Sequence, residues 1–86
     1  MALEEIVKKI LTDQFNDWVE LGEDDEEELE LYEAVDAHEY AKARMQELAN
    51  DLVEYYNWNI DQDLVADYSK QEVLEEFKHQ LNLLGY

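Results

Sequence analysis

Apolar residues open this chain at mostly three- and four-residue steps: Leu3, Ile6, Val7, Ile10, Leu11, Phe15, Trp18 and Leu21. That is the stripe of an amphipathic helix, the face that turns toward a core. It predicts a first helix over about residues 2–20, with room for a bend near Thr12-Asp13, and a left-handed glycine cap at Gly22. Next come two overlapping capping-box spacings, Asp24-x-x-Glu27 and Asp25-x-x-Glu28, and then Leu29, Tyr32 and Val35 at helical intervals. The alternation through residues 28–32 also fits a strand, but it stops at Tyr32, so a helix over about 25–35 is the better reading.

Asp36-x-x-Glu39 is a further capping box, flanked by Val35 and Tyr40 at the positions of a hydrophobic staple. A helix over about 37–57 follows, either separate from the one before it or continuous with it. Leu31, His38, Met45 and Leu52 share one heptad position, and Ala34, Ala41, Leu48 and Tyr55 share another. Such a seam packs against neighbouring helices or against a second copy of the chain. Asn57-Trp58-Asn59 breaks the pattern, and short turns are expected near 61–67. Ser69-x-x-Glu72, with Tyr68 and Val73 as staple residues, starts a last helix over about 70–84 that ends near Gly85. With no proline and only two glycines to punctuate it, the chain reads as an all-α, single-domain bundle of three to four helices over residues 1–86.

Composition narrows the class. Eighty-six residues suit one modest core. The aromatics Phe15, Trp18, Tyr32, Tyr40, Tyr55, Tyr56, Trp58, Tyr68, Phe77 and Tyr86 argue for folding, because acidic disordered segments lack such side chains. Without cysteine there is no disulfide framework and no thiolate chemistry. The first nine residues carry early acids and no continuous apolar run, so no signal peptide is expected. No apolar run approaches the roughly 18–20 residues of a membrane span, and a cytoplasmic location is the expectation.

Charge changes the picture most. The formal net charge is −18. Between Lys9 and Lys42 there is no basic side chain, while thirteen carboxylates occur, among them Glu23, Asp24, Asp25, Glu26, Glu27 and Glu28 in unbroken succession. Asp13, Asp17 and Glu20 stand at i, i+4 and i+7; so do Glu26, Glu30 and Glu33, and again Glu47, Asp51 and Glu54. On a helix rising about 1.5 Å per residue, neighbours in such a row are roughly 4.5–6 Å apart along the axis. Consecutive phosphates on a nucleic-acid strand are comparably spaced, and duplex DNA presents about one charge per 1.7 Å of axis. The same spacing arises on the outer face of any amphipathic helix. The distinctive feature is the missing bases, since solvated faces normally interleave both signs and like-charge i,i+4 pairs are unfavourable.

In charge and size the chain resembles the acidic helical inhibitors that phages and mobile elements direct against restriction, CRISPR, nucleoid or transcription proteins. That resemblance implies a non-enzymatic protein acting by occupancy. It would mimic nucleic-acid charge in the basic groove of a DNA- or RNA-binding protein, in the host cytoplasm if phage-encoded. Its acidic surface would comprise Asp13, Asp17, Glu20, Glu23, Asp24, Asp25, Glu26, Glu27, Glu30, Glu33, Glu47, Asp51 and Glu54. Tight complexes also need buried anchors, for which Tyr55, Tyr56 and Trp58 are the candidates. Two rival readings remain: an adaptor or assembly module working through the apolar 31–55 seam, with the acidic surface serving only solubility, and a dimeric metal-binding bundle. The second rests on Glu76-x-x-His79, one of two such elements that a di-iron bundle needs, and His38 lacks the matching glutamate. His38, on the seam, is read instead as a core or interface histidine.

Catalytic signatures are missing. Ser69 is better explained as a cap than as a nucleophile, and two glycines cannot build a phosphate loop. Asn57, Asn59, Asp61 and Asp63 begin like a calcium loop, but Gln62 occupies the turn-glycine position and Tyr68 that of the bidentate glutamate. No cofactor, metal or catalytic residue is assigned. Six scattered bases make no patch, so direct binding to nucleic acid is not expected, nor is binding to an anionic membrane.

Overall fold

The computed structural model describes residues 2–86. The described residues form α1 (Leu3–Asp24), α2 (Glu26–Leu31), α3 (Ala37–Asn50), α4 (Leu52–Trp58), a 3-10 turn (Gln62–Val65) and α5 (Lys70–Leu83). The fold is an all-α bundle, as the apolar periodicity predicts. α1 packs against both α3 and α5. The core between them holds Val7 and Leu11 of α1, Met45 and Leu48 of α3, and Leu52, Tyr55 and Tyr56 of α4. Val65 and the α5 residues Val73, Phe77 and Leu81 complete it.

Gly22 does not cap the first helix. α1 runs unbroken through Thr12-Asp13 and past Gly22 to Asp24. Glycine is needed there for a different reason: a Cβ would lie 3.0 Å from Cδ2 of Tyr40 and 3.1 Å from Cα of Ala37. The residue marks where α1 and the start of α3 touch, so the turn expected at Gly22 is instead a helix crossing. The chain turns at Asp25, whose carboxylate accepts the Glu27 N–H at 3.0 Å.

α2 is shorter than expected, ending at Leu31 rather than near residue 35. Ala34 N–H bonds to the Leu29 carbonyl and Glu33 N–H to the Glu30 carbonyl, the paired bonds of a Schellman motif. The left-handed position of that motif, normally glycine, is Glu33 at φ 53°. Glu33 therefore lies off the helix, and Glu26, Glu30 and Glu33 do not form a single helical row.

α3 starts at its predicted cap, with the Asp36 carboxylate accepting the Glu39 N–H at 2.8 Å. The Glu39 carboxylate reaches back one residue further than the standard box, to the Val35 N–H at 3.0 Å. The expected staple does not form: Tyr40 is fully buried while Val35 is 81% exposed. The helix expected over 37–57 is two helices, broken at Asp51 (φ −118°, ψ 43°). Of the heptad seam, Ala41, Met45, Leu48, Leu52 and Tyr55 are buried within the molecule, whereas Leu31 is 74% exposed. His38 is also exposed, its ring edge-on to Phe15 at 5.9 Å, so it is not a core histidine.

The short turns near 61–67 are a 3-10 turn capped by Asp61, which accepts the Asp63 N–H at 3.0 Å. α5 begins at Ser69, whose hydroxyl accepts the Glu72 N–H at 3.2 Å. It ends in a second Schellman motif, with Gly85 at φ 91° and Tyr86 N–H bonded to the Leu81 carbonyl at 2.9 Å.

Candidate functional site

Arg44 is the only arginine in the chain, and α3 holds it half-buried against neighbouring aromatic side chains. Its guanidinium carbon lies 4.9 Å from the ring centre of Trp18, 5.5 Å from that of Tyr32 and 5.8 Å from that of Tyr40. Nη1 donates to the Tyr40 hydroxyl at 2.9 Å, and the Tyr40 hydroxyl donates to Glu28 at 2.9 Å. Carboxylate oxygens of Glu28 and Glu47 stand 3.7 and 3.6 Å from the guanidinium nitrogens, and the Tyr32 hydroxyl donates to Glu47. One cation thus sits in a box of three aromatic rings and two carboxylates, the setting in which a weakly hydrated, planar guanidinium is favoured. The cluster ties together α1 (Trp18), α2 (Glu28), the turn after it (Tyr32) and α3 (Tyr40, Arg44, Glu47).

Burial, reinforced by the bond to Glu47, pushes the Tyr32 hydroxyl up to about 12. Tyr40 is raised by burial and by its bond to Glu28. Both phenols stay neutral donors at ordinary pH, facing acceptor carboxylates.

Beside this box an open groove of about 310 Å³ runs between α1, α3 and α4. Trp18, Tyr32, Leu48, Tyr55 and Trp58 line it together with Arg44, Glu47, Asp51, Glu54 and Asn59. A second hollow, of about 180 Å³, adjoins it across Tyr55 and Asn59 and is lined by Asp13 and Asp17 of α1. The Asp17 carboxylate is close enough to Tyr55 to raise the phenol, though burial is the larger cause of its shift to about 12. Asp13 and Asp17 of the first acidic row therefore adjoin the Glu47, Asp51 and Glu54 row on one surface. This juxtaposition is tertiary: α1 supplies one row, and the other crosses the α3–α4 break at Asp51.

The remaining predicted positions are spread out. Glu20, Glu23, Asp24, Glu26, Glu27, Glu30 and Glu33 lie around the end of α1 and along α2, and Asp25 is occupied as a cap. Glu28, absent from the predicted surface, is the carboxylate drawn into the arginine box. Of the three aromatic candidates, Tyr55 and Tyr56 belong to the core. The Tyr55 hydroxyl donates to Gln14 at 2.9 Å, and Lys70 lies 5.5 Å over the Tyr56 ring. Trp58 is 80% exposed, at the end of α4 on the groove's edge. Sequence reasoning misses Trp18, Tyr32 and Arg44 as parts of a site. The available signal is a lone arginine at i+4 from Tyr40 and i−3 from Glu47.

Charge compensation is sparse. Among the described residues, Glu28 is the only carboxylate of the base-free stretch within ion-pair distance of a base. Outside that stretch, Arg44 also pairs with Glu47, and Lys8 with Glu4 at 2.9 Å is an exposed i,i+4 contact on α1. No group of three or more histidine or acidic side chains among the described residues is placed to hold a metal ion. No helix among the described residues is long and apolar enough to cross a membrane. No protein-family model matches this chain, and neither a curated protein nor a solved structure is significantly similar to it.

Proposed function

We propose that this protein is a non-enzymatic inhibitor of the phage or mobile-element type. It occupies the basic groove of a nucleic-acid-binding protein by presenting a phosphate-like field of carboxylates. The observation that carries the reading is the uncompensated charge. Of the thirteen carboxylates between Lys9 and Lys42 only Glu28 meets a base among the described residues, although a few lysines at i,i+4 would relieve the repulsion. The convergence of Asp13 and Asp17 with Glu47, Asp51 and Glu54 around adjoining hollows supports it, because two rows side by side approach the charge density of a duplex better than one. The buried Ala41–Tyr55 part of the seam is used inside the fold, which leaves the acidic surface as the larger feature facing outward.

The mechanism is exclusion. A basic groove neutralised by this protein, the counterions of both surfaces having gone to solvent, has no free charge with which to hold DNA or RNA, and no bond is made or broken. Proteins captured from a bacterial lysate on the immobilised chain should be basic nucleic-acid-binding proteins. They should elute with rising salt and with added duplex DNA or RNA. Capture that is indifferent to both nucleic acid and salt would refute the proposal.

A further inference from the structure

The groove has walls as well as charge. We infer that the groove between α1, α3 and α4 is a docking site for an arginine side chain of a basic partner protein, with Trp58 as the aromatic lid of that site. The inference deepens, and rests on, the reading of the protein as an occupant of a basic groove.

Three observations point to a guanidinium rather than to cations in general. First, the groove is complementary in sign: Glu47, Asp51 and Glu54 line it against one cation, Arg44, which already stands beside Glu28 and Glu47. Second, Trp58 is 80% exposed at the groove's edge, and its indole is a large apolar surface left in water. Tryptophan is among the residue types enriched at the energetic centres of protein interfaces. Third, the protein already solves the same recognition problem internally. Arg44 lies against Trp18 and Tyr32, two side chains that also line the groove, with the Glu47 carboxylate beside it as counter-charge. An incoming arginine would stack on Trp58 and pair with Asp51 or Glu54, repeating on the outside what Arg44 does within. Lysine, a compact and strongly hydrated charge, gains less from flat aromatic walls.

The test uses two peptides of equal charge, nona-arginine and nona-lysine, titrated calorimetrically into the whole protein at matched ionic strength. Nona-arginine should bind about three- to tenfold more tightly, the range expected of stacking on an aromatic face. Trp58→Ala, at an exposed position, should keep the melting temperature and abolish most of that preference. Glu26→Gln/Glu30→Gln on α2 should weaken both peptides alike and leave the preference intact. Equal affinity for the two peptides, or a preference that survives Trp58→Ala, would overturn the inference. Either result is distinct from failure of the mimicry itself, which is read from nucleic-acid competition on captured proteins and not from arginine selectivity.

Discussion

Glu33 shows at a single residue how charge and conformation conflict. It holds the left-handed position of the Schellman motif after α2, where an L side chain costs about 1–2 kcal/mol relative to glycine. Glu33→Gly should therefore stabilise the protein by about 1 kcal/mol in urea denaturation, even though it enlarges the unfolded ensemble. No gain would mean that the turn is held by other forces. The phenols offer a second prediction at this scale. Tyr32 and Tyr55 hold their protons up to about 12, whereas in the unfolded chain they ionise near 10.0. Because their folded-state values are raised, the stability they contribute is complete below pH 10 and is lost as pH rises toward 12. Phenolate absorbance should show Tyr32 and Tyr55 among the last of the six tyrosines to titrate, with the melting temperature falling over the same interval. Early, uniform titration of all six would contradict the burial of these rings.

Among the elements, α2 is the least supported. It has six residues, none of them buried, and is held by the Arg44 box on one side and the Schellman turn on the other. Short helices are marginal without tertiary contacts. Its amides should be the fastest-exchanging of the helices in hydrogen-exchange measurements. Arg44→Lys keeps the charge but loses the planar fork and its stacking on three rings. It should lower stability by about 1–2 kcal/mol and speed exchange in residues 26–31 more than in α5. Equal acceleration throughout would mean that Arg44 supports the core rather than docking α2. The helix boundaries teach a related lesson. Asp36 and Ser69 start α3 and α5 where their capping boxes lie, because a cap is a local hydrogen bond that needs no partner from elsewhere.

Across the whole molecule, carboxylates far outnumber the bases that could compensate them, 24 against six lysines and arginines. A radius of gyration of 13.4 Å exceeds the roughly 12 Å of an average globule of this length, and the extents of 39 × 22 × 20 Å describe an elongated body. The 22-residue α1 sets the long axis, and acidic side chains occur along it from Glu4 to Asp24. With a formal charge of −18 and few ion pairs, the folded state concentrates charge that the unfolded chain disperses. Raising salt from 0.05 to 0.5 M (about 14 to 4 Å of screening length) should therefore increase the melting temperature. Unlike the loss expected for a protein held by ion pairs, the change is a gain, and a melting temperature insensitive to salt would show that the carboxylates are farther apart than their spacing implies.

Sequence alone determined what depends on neighbours in the chain: the helical class, the caps at Asp36 and Ser69, the Gly85 ending, and the sign and excess of charge. These follow from period, local hydrogen bonds and composition, each complete within a few residues. Tertiary structure decided everything that requires two distant segments to meet. It made Gly22 a crossing point instead of a cap, because Tyr40 and Ala37 press on it from α3. It buried Tyr55 and Tyr56 and left Trp58 outside, a choice among three neighbouring aromatics that helical phase settles only once α1 and α5 are in place. It also gathered Trp18, Tyr32, Arg44 and Glu47 from separate elements into one box. The acidic excess is linear information, while the groove that could turn it into recognition exists only where the helices pack.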